Sequence, residues 1–120
     1  MKIAISSQGP ELDSRVDPRF GRAEYFIIYD TDRRDFVVLQ NTGNATAGQG
    51  AGVQTAQLVA RESVSLVVSG NMGPKAFEAL RSAGIQVVAW NDGTIAEAVE
   101  LIRSGQFDPL DGANVRGHWR

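Results

Sequence analysis

"VSLVVSGNMGPKAFEALRSAGIQVVAW", residues 64–90, decides the fold. It opens with a nearly continuous apolar run, the pattern of a strand buried on both faces. Pro74 then stands in the first turn of a helix and Gly84 just past its end, the usual placing of these two residues. "IQVVAW" reads as a second buried strand. Two such strands joined by a helix lie parallel in one sheet, through a right-handed crossover.

Downstream, "NDGTIAEAVELIRSG" (residues 91–105) predicts another helix, with Ile95, Ala98, Val99 and Ile102 on one face. Thr94 and Glu97 make a capping box, and Gly105 can end the helix. Upstream, Val53, Ala56, Val59 and Ala60 share a helical face that begins at Gly52. "YFIIYD" and "FVVLQN" are β-branched and aromatic runs separated by the charged turn "TDRRD", and predict an antiparallel hairpin. "KIAIS" near the start is a first strand. A polar connection from Ser7 to Glu24 follows it, and connections that long are often functional. The order is β-β-β-α-β-α-β-α: one α/β domain over residues 1–105, with a mixed sheet flanked by helices. The polar tail "QFDPLDGANVRGHWR", residues 106–120, is expected to be loosely ordered.

Composition narrows the function. A net charge of −2 excludes the strongly basic balance of a general nucleic-acid binder. No run reaches the roughly 18 apolar residues of a membrane span. The opening "MKIAIS" lacks the apolar stretch of a signal peptide, so a cytoplasmic location is expected. With no cysteine, disulfides, thiolate zinc sites and cysteine-ligated iron–sulfur clusters are out. The one histidine, His118, stands near the end and is not expected to be a metal ligand.

What, then, does the glycine-rich stretch "NTGNATAGQGAGVQTAQ" (residues 41–57) hold? A P-loop would need lysine where Gln49 stands, and a dinucleotide fingerprint would need glycine where Val53 stands. Neither nucleotide motif survives. Three turns, around Gln49, Gly50 and Gly52, around Asn71, Met72 and Gly73, and around Gly93 and Thr94, all precede helix N-termini. Glycine lets backbone N–H groups approach a ligand, and a helix N-terminus favours negative charge. In open α/β sheets such turns gather at one edge. Arg15, Arg19 and Arg22 in the long connection and Lys75 in a first helical turn add positive charge. The expectation is an anion pocket; the bland alternative is three ordinary connecting turns.

Single residues carry two readings each. Met72 offers a soft thioether contact or fills a gap in the core. Phe20 offers an apolar face between Arg19 and Arg22. Arg22 meets a ligand or pairs with an acid such as Glu24 or Asp17. Lys75 opposes the helix macrodipole, which suits an anionic partner or mere solvent exposure. Catalysis finds little support: the carboxylates are scattered, and no hydroxyl has an evident base. The chain reads as a binding protein rather than an enzyme.

"DPRFGRAEYF", "GQGAGVQTAQLV", "LVVSGNMGPKAFEALRSAGIQV" and "GTIAEAVE", taken in order, resemble the dinitrogenase iron–molybdenum cofactor biosynthesis family from Met1 to about Gly105. The resemblance implies a ribonuclease H-like α/β fold with a five-stranded sheet, and a role in binding or carrying metal–sulfur cofactor precursors. Where the family commonly has a histidine before "GAG", this chain has Gln49, which is no strong ligand for a soft metal. The chain looks like a cysteine-free branch associated with a mixed molybdenum–copper sulfide cluster. Such a cluster is anionic and brings its own sulfides, so it can be held without cysteine or histidine. The implied cargo is therefore a noncovalent molybdenum–copper sulfide cluster, or alternatively an iron–molybdenum cofactor precursor. A P-loop ATPase is an implied protein partner, since family members often accompany one. The other classes left open are an adaptor with a vestigial pocket and a phosphometabolite binder.

Overall fold

The structure, a computed structural model, describes residues 1–45 and 50–114. The chain runs β1 (Lys2–Ser7), β2 (Tyr25–Asp30), β3 (Asp35–Gln40), α1 (Thr42–Ala45), α2 (Ala51–Ala60), β4 (Leu66–Ser69), α3 (Pro74–Ser82), β5 (Gln86–Ala89) and α4 (Ile95–Ser104). The strands form one five-stranded sheet in the order β3-β2-β1-β4-β5. β2 is antiparallel to both β1 and β3, while β4 is parallel to β1 and to β5. This is the mixed α/β sheet expected, and it is compatible with a ribonuclease H-like arrangement. The elements match the sequence reading except for the short α1, which a four-residue segment is too brief to announce by periodicity.

Alternation along the strands builds two cores. Ala4, Phe26, Ile28, Val67 and Val87 face one side, where Ala56 and Val59 of α2 and Ala76, Phe77 and Leu80 of α3 cover them. Ile3, Ile5, Ile27, Leu66, Val68 and Val88 face the other, against Ile95, Ala98, Val99 and Ile102 of α4. β4 is buried at every position because both faces are covered, which explains its unbroken apolar run. The steps from β3 to β4 to β5 move the same way across the sheet, so crossovers of one hand place α2 and α3 on the same face. The buried stripe of α2 is Ala51, Thr55, Ala56 and Val59; Val53 and Ala60, expected in it, are only half-buried. The capping box of Thr94 and Glu97 is present, and Gly105 ends α4 with φ 74°.

Candidate functional site

The register places one end of every strand along a single edge. Ser7 pairs with Tyr25, Tyr25 with Gln40, and Ser69 with Ala89. The connections 8–24, 41–50, 70–73 and 90–94 all leave from this edge. The chain's direction of travel also divides here, toward β2 and β3 on one side of β1 and toward β5 on the other. Crevices at such a division are where open α/β sheets hold ligands.

The long connection is stitched to that edge. The Asp17 N–H donates to Ser6 O at 2.8 Å, and the Ser6 hydroxyl returns a bond to Asp17 O at 2.7 Å. Pro18–Phe20 runs parallel to the turn after β4: Asn71 N–H donates to Pro18 O at 2.6 Å and Phe20 N–H to Asn71 O at 3.2 Å. Three glycines permit this closeness. A Cβ on Gly70 would lie 2.6 Å from Pro18 Cα and O, and one on Gly21 would lie 2.9 Å from the Gly52 backbone. A Cβ on Gly52 would in turn lie 3.2 Å from Ala76 Cβ, so the first turns of α2 and α3 pack side by side. The "DPRFG", "GAG" and "SGNMGP" segments are thus three parts of one assembly.

Charge in this assembly is partly committed. The buried Asp17 carboxylate accepts from the Arg19 backbone N–H at 2.8 Å and from its Nε and Nη2 at 3.3 Å each. The Arg19 side chain stays 61% exposed, so the carboxylate orients a guanidinium that still faces outward. Arg22 Nη1 donates to Ala45 O at 3.1 Å, tying the connection to α1. A recess of about 360 Å³ lies here, lined by Gln8, Asp17, Arg19, Arg22, Glu24, Thr42 and Ala45. Two arginines and two carboxylates balance within it, so the positive potential of the edge must come from elsewhere.

Helix ends supply it, though not all three. The N-terminus of α4 is closed. Thr94 N–H donates to Glu97 Oε1, Glu97 N–H to Thr94 Oγ1, Ile95 N–H to Ser14 O and Ala96 N–H to Leu12 O. Gly93 is buried and Thr94 half-buried, so the third turn expected in the anion pocket spends its donors on the protein itself. The N-termini of α2 and α3 have no side-chain cap, their cap residues being Gly50 (φ 75°) and Gly73. Among the described residues, the N–H groups of Ala51, Gly52 and Val53 in α2 and of Lys75 and Ala76 in α3 find no acceptor. Two helix dipoles therefore end together with unused donors, beside exposed Arg19 and Lys75.

The remaining sequence candidates separate. Phe20 is 1% exposed and stacks edge-to-face on Phe26 at 5.3 Å, and Met72 is 3% exposed in the same core. Both side chains support the edge from within and do not line it. Asn71 holds Pro18–Phe20 through its backbone. Gln49 lies outside the described residues, as does His118. Sequence reading missed Asp17 as the anchor of Arg19 and Asn41 as a buried hub; an acid two residues before an arginine in "DPR" was the available signal for the first. Among the described residues, no group of three His, Cys, Asp or Glu side chains could hold a metal ion.

The α4 cap has a pH signature. The Thr94 backbone N–H, then its hydroxyl, and then nearby Arg15 hold the Glu97 carboxyl below its ordinary value of 4.5. A depressed carboxylate stabilises the fold above its unfolded pKa, and that contribution is lost as pH falls through the folded pKa. Glu97→Gln should therefore show a smaller loss of melting temperature below about 4.5 than the parent chain. Parallel melting curves for the two proteins across that range would contradict this.

Comparisons with known proteins follow the same outline. The family model for the dinitrogenase iron-molybdenum cofactor matches residues 1–105. An uncharacterized protein of Methanocaldococcus jannaschii is 30% identical over 114 residues, covering 92% of each chain. The apo form of the orange protein from Desulfovibrio gigas superposes with a TM-score of 0.92 at 37% identity, over 95% of this chain and 96% of that one. A Thermotoga protein of the DUF35 family, solved by NMR, follows with a TM-score of 0.83 at 36% identity, over 97% and 98%.

Proposed function

The chain belongs to the dinitrogenase iron-molybdenum cofactor family, and from that premise we propose that it is a carrier for an anionic molybdenum-containing metal–sulfide cluster, held noncovalently at the strand-end edge. The observation that supports this most is the pair of uncapped N-termini, α2 and α3, packed together through Gly52 and Ala76. Unused N–H donors and two exposed cations suit a bulky anion that already carries its own sulfides. They suit a bare metal ion less well, since among the described residues no group of three His, Cys, Asp or Glu side chains could hold one. The sequence resemblance to a cysteine-free branch makes a molybdenum–copper sulfide cluster the proposed cargo, with an iron–molybdenum cofactor precursor as the alternative. The protein would hold this cargo and not transform it, and a cytoplasmic location is part of the proposal. No helix among the described residues is long and apolar enough to cross a membrane. Gln49 belongs to the proposed site through its place before Gly50.

The test adds tetrathiomolybdate and copper to the purified protein, desalts it, and measures molybdenum, copper and the absorption spectrum. Retained metals with new charge-transfer bands are expected. Arg19→Glu and Lys75→Glu should each weaken retention about fivefold, with raised salt weakening it modestly. A colourless, metal-free protein would overturn the reading. A thermal shift with inorganic phosphate and none with thiomolybdate would transfer the same donors to a phosphate-bearing metabolite.

A further inference from the structure

Residues 106–114 form no helix or strand, yet they hold defined contacts. Phe107 packs against the α4 side of the sheet and Leu110 against the α2–α3 side. The chain therefore passes around the edge strand β5 between these two residues. On the way the Leu110 N–H donates to Val87 O at 2.7 Å, covering part of that strand's outer backbone. At its far end the segment reaches the turn between β4 and α3. Asn114 Oδ1 accepts from Met72 N–H at 2.8 Å, Asn114 Nδ2 donates to Gly70 O at 2.9 Å, and Asn114 N–H donates to Met72 O at 3.2 Å.

These three bonds read one turn with one residue. The turn offers a donor at Met72 and carbonyls at Gly70 and Met72, and a side-chain amide supplies an acceptor and a donor at once. Alanine could do neither, and aspartate could accept but not donate. The same turn carries Asn71, which pairs with Pro18 and Phe20 on either side of Arg19, and leads directly into uncapped Gly73. Asn114 thus fixes the turn from which the α3 N-terminus departs and to which the Arg19 segment is hydrogen-bonded. It lies beyond residues 1–105, which the family model matches.

We infer that residues 106–114 are a strap and that Asn114 is a positioning residue for the anion site, locking the Gly70–Met72 turn so that the Lys75 and Ala76 N–H groups and Arg19 face the same cargo. This rests on the carrier reading, so the experiment separates the two. Full-length Asn114→Ala and Asn114→Asp are compared with the parent by amide hydrogen exchange and by retention of molybdenum after treatment with tetrathiomolybdate and copper. Met72 exchange in Asn114→Ala should rise about fivefold, the factor one ordinary hydrogen bond makes in an equilibrium, with Ile5 exchange unchanged as the fold control. Retention should fall by about the same factor with shifted absorption bands, and Asn114→Asp should lie between.

Unchanged Met72 exchange would overturn the strap. Faster Met72 exchange with retention and band positions unaltered would overturn the positioning role, since a merely structural tie moves the first readout alone. If the parent chain itself retains no molybdenum, the carrier reading fails and the positioning role with it; Met72 exchange then still decides whether the strap holds the turn.

Discussion

Gly70→Ala is expected to destabilise the protein by about 3 kcal/mol, near the upper end for overpacking by one methyl group. The added Cβ would sit 2.6 Å from both Pro18 Cα and Pro18 O, closer than real Cβ contacts come. Those are backbone atoms, so no flexible side chain can swing aside. Relief requires moving Pro18–Phe20 away from the turn, and that movement breaks the Asn71–Pro18 and Phe20–Asn71 hydrogen bonds as well. Asn91 Oδ1, 3.0 Å from the same Cβ, closes the other direction. Gly112→Ala is the control, because a Cβ there meets nothing within 4 Å; it should change stability by less than about 0.5 kcal/mol. Urea denaturation of the two variants reads the difference directly. Equal midpoints would mean that the long connection does not pack on the turn as described. The displaced segment carries Arg19, so cargo retention should fall with stability in Gly70→Ala and not in Gly112→Ala.

The example of Gly70 shows what a sequence displays and what it hides. Its place at the end of an apolar run marks a strand terminus, and the βαβ pattern of residues 64–90 fixes which edge that terminus joins. The need for a missing Cβ there comes from Pro18, 52 positions earlier, and no local pattern carries that information. The sheet was legible because alternation and helical periodicity are local signals, and each buried face imposes them on every residue it covers. The site was legible only in part. That turns preceding helices gather at one edge follows from topology, so Arg19, Arg22, Gly52 and Lys75 could be named from order alone. Whether a given helix end has spare donors depends on what else reaches it. The capping box of Thr94 and Glu97 was itself visible in the sequence and already argued that α4 satisfies part of its own N-terminus. The carbonyls of Leu12 and Ser14 that complete the closure come from the long connection, whose path had no periodicity to reveal it. Phe20 and Met72 were ambiguous for another reason: an apolar residue beside a turn is equally suited to a soft contact and to the core, and only packing decides.

Asn41→Leu should cost about 2–4 kcal/mol, through lost hydrogen bonds and not lost volume. Asn41 is 2% exposed, where β3 ends and the glycine-rich connection begins. Its Nδ2 donates to Ala23 O at 2.8 Å and to Thr55 Oγ1 at 3.1 Å, while its Oδ1 accepts from Asn44 Nδ2 at 2.9 Å. Ala23 and Thr55 are fully buried, so leucine of similar size would leave their polar atoms short of partners in a place water does not reach. Thr55→Val removes one of those atoms, and the double variant should recover about 1 kcal/mol relative to the sum of the single changes. Strict additivity in denaturant midpoints would show that Asn41 and Thr55 do not interact. The consequence reaches the candidate site, because Thr55 lies on α2 and Ala23 in the long connection. Asn41 therefore joins three segments, β3, α2 and residues 8–24, whose mutual placement brings the α2 N-terminus against Gly21. Asn41→Leu should weaken molybdenum retention even at temperatures where the protein remains folded, whereas Leu80→Ala, which thins the core beneath α3 at comparable cost in stability, should leave retention nearer to that of the parent. Equal retention losses in two equally destabilised variants would reduce Asn41 to a stability residue; a loss confined to Asn41→Leu would show that the hub sets the geometry of the edge.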